Sequence, residues 1–77
     1  MSSQTGKSPL FTFDTTHHAL WAEEVARGAG VPVEVVPAPP AANARCDLAL
    51  ETLAEEVAKL SSVLERDGVP FRLYQRG

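Results

Sequence analysis

Residues 30–36 read Gly30-Val31-Pro32-Val33-Glu34-Val35-Val36, and residues 68–74 read Gly68-Val69-Pro70-Phe71-Arg72-Leu73-Tyr74. Both follow the pattern Gly-Val-Pro-apolar-charged-apolar-apolar, 38 positions apart, and a helix-like stretch precedes each. The glycine supplies a helix stop, and the proline, which has no amide hydrogen, cannot continue the helix. Each copy therefore marks a passage from helix into strand, and two similar units lie end to end.

Upstream of the first copy, Ala19, Ala22, Val25, Ala26 and Ala29 recur at steps of three and four and give one narrow apolar helix face of small side chains. Thr15 or Thr16 caps this helix, because a hydroxyl just outside the first turn accepts from an otherwise unpaired amide. Before it, Leu10 to Phe13 alternates in the period of a strand. The strand after Gly30 places Val33 and Val35 on one face and ends at Pro37, Pro39 and Pro40. A third strand is read from the alternation around Leu48 and Leu50. Thr52 and Glu55 have capping-box spacing, which predicts that the second helix starts there, with Leu53, Val57, Leu60 and Leu64 as its buried stripe. Pro70 to Gln75 supplies the fourth strand, with Phe71 and Leu73 facing inward. The order β-α-β-β-α-β predicts an α+β, ferredoxin-like domain over residues 9–77: a four-stranded antiparallel sheet of order 4-1-3-2 with both helices on one face. The other face is expected to be open and to show Leu10, Thr12, Glu34, Val36, Ala49, Arg72 and Tyr74.

Composition narrows the function classes. Seventy-seven residues make one domain, near the size where a single core is marginal. No apolar stretch reaches the length of a membrane helix, and the start, MSSQTGKS over residues 1–8, reads as a disordered tail with no secretory character, so a cytoplasmic address is expected. Seven basic and ten acidic residues leave a net charge of −3 with no basic stripe, which argues against nucleic acid. One cysteine and two adjacent histidines lack the spacing of a structural metal site, and no cofactor is expected.

Chemistry concentrates at Cys46. If the first strand runs upward, topology brings its exit, the loop from Pro37 to Cys46 and the Asp67-Gly68 turn to the same sheet edge. Cys46 then lies near Phe13 and Asp14, facing the start of the first helix. The unpaired amides there, at Thr15 and Thr16, form a candidate anion site. Arg45 is a candidate stabiliser of a thiolate, opposed by Asp14 and Asp47, and His17 is a candidate acid/base neighbour. The plain alternative is a cysteine that serves as a small buried hydrophobe, with His18 a solvated side chain. Trp21, beside the alanine stripe, packs under the N-terminal tail or marks a contact surface.

The run Phe13-Asp14-Thr15-Thr16-His17-His18-Ala19-Leu20-Trp21-Ala22-Glu23, followed by Gly30-Val31-Pro32-Val33, Pro37-Ala38-Pro39 and Cys46-Asp47-Leu48-Ala49-Leu50, resembles the small bacterial selenium/sulfur carrier-like proteins. The resemblance implies a carrier that holds sulfur or selenium on Cys46 as a persulfide or selenosulfide, with at most sulfurtransferase-like activity. The partners it implies are a cysteine desulfurase or another sulfur or selenium donor, and an acceptor enzyme. The family commonly has a Pro-Arg pair after the second strand and a Cys-Gly pair; this chain has Pro39-Pro40 and Cys46-Asp47. The competing expectation is a non-catalytic interaction or regulatory module that docks or forms a homodimer through the open sheet face. A soft-metal chaperone that borrows a second thiolate from a dimer partner is a weaker third.

Overall fold

A computed structural model describes residues 9–42 and 44–75, so the tail expected over residues 1–8 lies outside the described residues. The elements are β1 (Leu10–Thr12), α1 (Thr16–Gly28), β2 (Val33–Pro37), β3 (Leu48–Thr52), α2 (Val57–Arg66) and β4 (Arg72–Tyr74). One short 3-10 turn, Pro40–Ala42, lies in the β2–β3 connection, and another, Ala54–Glu56, leads into α2. The sheet order is β2-β3-β1-β4 and every pairing is antiparallel. This is the expected order read from the opposite edge.

The repeated Gly-Val-Pro pattern is one backbone device built twice. After α1, the Gly30 amide donates to the Arg27 carbonyl at 3.1 Å and the Val31 amide to the Ala26 carbonyl at 2.9 Å. After α2, the Gly68 amide donates to Glu65 at 3.1 Å and the Val69 amide to Leu64 at 2.9 Å. This is the Schellman pairing, which closes the last helical carbonyls and requires a left-handed residue. Gly30 and Gly68 both sit at φ +76°. The following valines, 2% and 3% exposed, anchor each turn in the core, and the prolines start the chain outward into β2 and β4.

Packing pairs a small face with a large one. Ala19, Ala22 and Ala26 are fully buried, so α1 lies close to the sheet, while α2 contributes Leu60, Val63 and Leu64 to the same cluster. Phe11 and Leu50, partners across β1 and β3, stand at its centre with no exposed surface. The Phe71 ring lies 5.3 Å from the Phe11 ring. Burying a leucine such as Leu60 or Leu64 contributes roughly 1.5–3 kcal/mol before entropy is counted.

Three expectations need correction. Thr52 does not cap the second helix. It is the last rung of β3, opposite Val33, and its hydroxyl donates to the Pro32 carbonyl at 2.6 Å. Neither the 3-10 turn nor α2 has a side-chain cap hydrogen bond at its N-cap residue. The 3-10 turn instead begins after Leu53 with no side-chain cap, which leaves Leu53 53% exposed and gives its place in the stripe to Val63. The fourth strand is shorter than expected, and Leu73 stays 43% exposed at the sheet edge, although its Phe71 neighbour packs on the core. The second sheet face is only partly open: Glu34 and Arg72 on it are exposed. Leu10, Thr12 and Ala49 on it are buried, and Ala42 and Ala44 border a cavity with Thr12, Arg72 and Tyr74, so the β2–β3 connection folds back toward this face.

The glycines separate by backbone rather than by space. A Cβ at Gly28, Gly30 or Gly68 would meet nothing within 4 Å. Gly30→Ala and Gly68→Ala should each lose about 1–2 kcal/mol in urea unfolding, from the left-handed conformation alone. Gly28→Ala, in the last helical position of α1, should gain about 0.5–1 kcal/mol in the same measurement.

Candidate functional site

The exit of β1 sets the geometry around the cysteine. Thr15 is extended, and its hydroxyl accepts from the His18 amide at 3.0 Å, so α1 starts at Thr16. The Cys46 amide donates to the Phe13 carbonyl at 3.2 Å, which ties the returning loop to the end of β1 just ahead of the β1–β3 ladder. The sulfur therefore meets the first turn of α1: Cys46 Sγ lies 3.7 Å from Thr16 Oγ1. On its other side the Leu48 amide donates to the sulfur at 3.3 Å. A backbone donor and a hydroxyl that can donate or accept thus converge on one sulfur at a helix N-terminus, where the helix dipole favours negative charge.

Cys46 is 3% exposed and belongs to the core cluster with Phe13, Ala19 and Leu50. Arg45, beside it in the chain, is exposed. Of the two threonines at the helix start, Thr16 reaches the sulfur and Thr15 is occupied as the cap. His17 is not brought to the cysteine. It is exposed and borders a shallow surface cavity of about 520 Å³ with Leu20, Trp21 and Glu24, the stripe of α1 opposite the buried alanines. The His18 ring centroid is 6.4 Å from that of Trp21, and His18 Nδ1 is buried without a hydrogen-bond partner. Trp21 is 37% exposed and Leu20 50% exposed, so among the described residues Trp21 is a surface residue.

Two participants escaped the sequence reading. The Leu48 amide is backbone, and its only signal is the two-residue spacing from Cys46, the reach of a side chain that bonds the backbone ahead of it. Arg72 holds the charged slot of the second Gly-Val-Pro copy. Its guanidinium lies 4.0 Å from the Asp14 carboxylate at the same edge as Cys46. Among the described residues no cluster of three or more His, Cys, Asp or Glu side chains is placed to hold a metal, and no helix is long and apolar enough to cross a membrane.

A family model described as "Putative Se/S carrier protein-like" matches residues 8–75. The chain belongs to this family. No curated protein and no solved structure matches it. The matched span of the Se/S carrier-like chain contains every strand and helix above, together with the two Schellman turns, Thr16 and Cys46.

Burial makes the reactivity of the Se/S carrier-like thiol depend on opening. Alkylation of Cys46 by iodoacetamide should run roughly tenfold or more slower in the folded chain than in urea. It should quicken when Pro40 is replaced by Gly, which loosens the connection without touching the sulfur. A folded-state rate equal to the urea rate would show that the thiol is free at the surface.

Proposed function

We propose that this chain is a sulfur or selenium carrier on a ferredoxin-like frame, with Cys46 as the residue that holds the chalcogen. The observation that supports the reading is the convergence of the Leu48 amide at 3.3 Å and the Thr16 hydroxyl at 3.7 Å on one sulfur, in a chain of the Se/S carrier-like family. The thiolate of Cys46 attacks the outer sulfur of a donor persulfide, the donor's sulfur–sulfur bond breaks, and the donor leaves as its thiolate. Cys46 then carries one added atom as a persulfide, whose negative charge the Leu48 amide favours, as does the Thr16 hydroxyl once its hydrogen turns toward the sulfur. Transfer to an acceptor is the same exchange in reverse. For selenium the product is the selenosulfide.

Access comes through the β2–β3 connection. Its described residues include Ala38, Ala41, Ala42 and Ala44, small side chains that lose little buried apolar surface when the segment lifts. Arg45, already exposed, then flanks the approaching anion. Donor and acceptor are proteins in this proposal, a cysteine desulfurase being one fitting donor, and the exchange belongs in the cytoplasm. His17, on the outer stripe of α1, would serve acid-base chemistry only toward a docked partner.

The same burial favours a second reading, an interaction module in which Cys46 is a core residue and nothing more. The two part on one experiment. Intact-protein mass spectrometry of the reduced chain, after incubation with a cysteine desulfurase fed cysteine or selenocysteine, should show a thiol-labile gain of one chalcogen atom. Cys46→Ser should show none. A wild-type chain that gains nothing, and whose thiol alkylates only on unfolding, belongs to the second reading.

A further inference from the structure

Two small cavities open at the sheet edge that carries Cys46, and Thr12, Phe13, Asp14 and Arg72 border both. The larger, about 180 Å³, is completed by Pro70 and Phe71. The smaller, about 110 Å³, is completed by Ala42, Ala44, Leu73 and Tyr74. Buried Thr12 forms their common floor, its hydroxyl donating to the Arg72 carbonyl at 3.4 Å, so the strand that presents Arg72 is tied to the one that leads to Asp14. Each is roomy enough for a few waters or a ligand the size of a small amino acid.

Charge decides what kind of ligand fits. Arg72 Nη2 and Asp14 Oδ1 are 4.0 Å apart, and their side chains are 74% and 47% exposed. An ion pair at that separation in water contributes little, and the five donors of the guanidinium stay largely available. A simple anion drawn to Arg72 meets the Asp14 carboxylate, and a simple cation drawn to Asp14 meets the guanidinium. A molecule with both charges on neighbouring atoms avoids both conflicts, because its carboxylate faces Arg72, its ammonium faces Asp14 and the four charges alternate in sign. The α-carbon head of a free amino acid has that form. Its side chain then lies in the cavity that Thr12, Phe13 and Ala44 border.

We propose that the cleft between Asp14 and Arg72 binds the zwitterionic head of a free α-amino acid of about cysteine's size. Only the identity of the side chain, a thiol or selenol, rests on the carrier reading. The cleft then holds cysteine or selenocysteine as a bound ligand, while the atom loaded on Cys46 still comes from a donor persulfide.

The test is a chemical-shift titration of the full ¹⁵N-labelled chain with L-cysteine under a phosphine reductant. Saturable shifts centred on Thr12, Asp14, Arg72 and Tyr74 are expected, with a dissociation constant on the order of 1 mM. Cysteamine and 3-mercaptopropionate, each with one of the two charges, should bind roughly tenfold more weakly, as should L-cysteine to Asp14→Asn and to Arg72→Gln. Both variant positions are exposed, so thermal unfolding should be unchanged. The proposal is overturned by no saturable shift up to roughly 20 mM, by single-charge analogues that bind as well as cysteine, or by variants that bind like the parent. Chalcogen loading of Cys46, followed by mass in the same preparation, keeps the two ideas apart: loading without cysteine binding removes the cleft alone, and cysteine binding without loading removes the carrier reading alone.

Discussion

The left-handed backbone at Gly30 and Gly68 is the constraint on which the remaining structure depends. A helix that ended in a right-handed residue would leave its last carbonyls unpaired and send the chain on in another direction. With glycine there, its own amide and the next one turn back onto the helix, a valine drops into the core, and a proline sets the chain running antiparallel to the strands already in place. Because this happens after both helices, α1 and α2 return their strands to the two opposite edges of one sheet.

That arrangement fixes the chemistry as well as the shape. Each crossover leaves β1 and β3 as central neighbours, so the end of one and the start of the other must coincide. The Cys46 amide meets the Phe13 carbonyl there, and Thr16 is three residues beyond Phe13 at the mouth of a helix. The alanine face of α1 matters for the same reason. Larger side chains at Ala19 or Ala22 would hold the helix away from the sheet and carry its first turn out of reach of the sulfur. Packing at the centre of the domain therefore sets a sulfur–oxygen distance at its edge.

Much of this was legible in the residues. The repeat announces the two turns, the apolar spacings announce the helices, and topology alone brings Cys46 to Phe13 and the start of α1. Legibility failed where a residue had two possible uses. Thr52 fits a capping box by spacing, yet an unsatisfied proline carbonyl across the hairpin takes its hydroxyl. His17 fits an acid-base role by proximity in the chain, yet the helical period turns it to the opposite side from the alanines. Strand alternation predicts an exposed second face, but alternation has no information about a loop that folds back, and the Pro-Ala connection does so. Arg72 is invisible for a simpler reason, because its place beside Asp14 comes from strands brought together by the fold, and the Leu48 amide is a backbone group that side-chain patterns do not show.

The prolines have a consequence beyond turning the chain. In this sheet β2 and β4 are the outer strands, the only ones with an unpaired side among the described elements. Pro32 precedes β2 and Pro37 closes it, while Pro70 precedes a β4 of three residues that carries Arg72 and exposed Leu73. Proline offers no amide to an incoming strand, and a short charged edge gives it little length to grip. The motif that turns helix into strand also keeps one sheet from growing onto the next, so a domain of marginal size can accumulate in the cell without seeding fibres of itself.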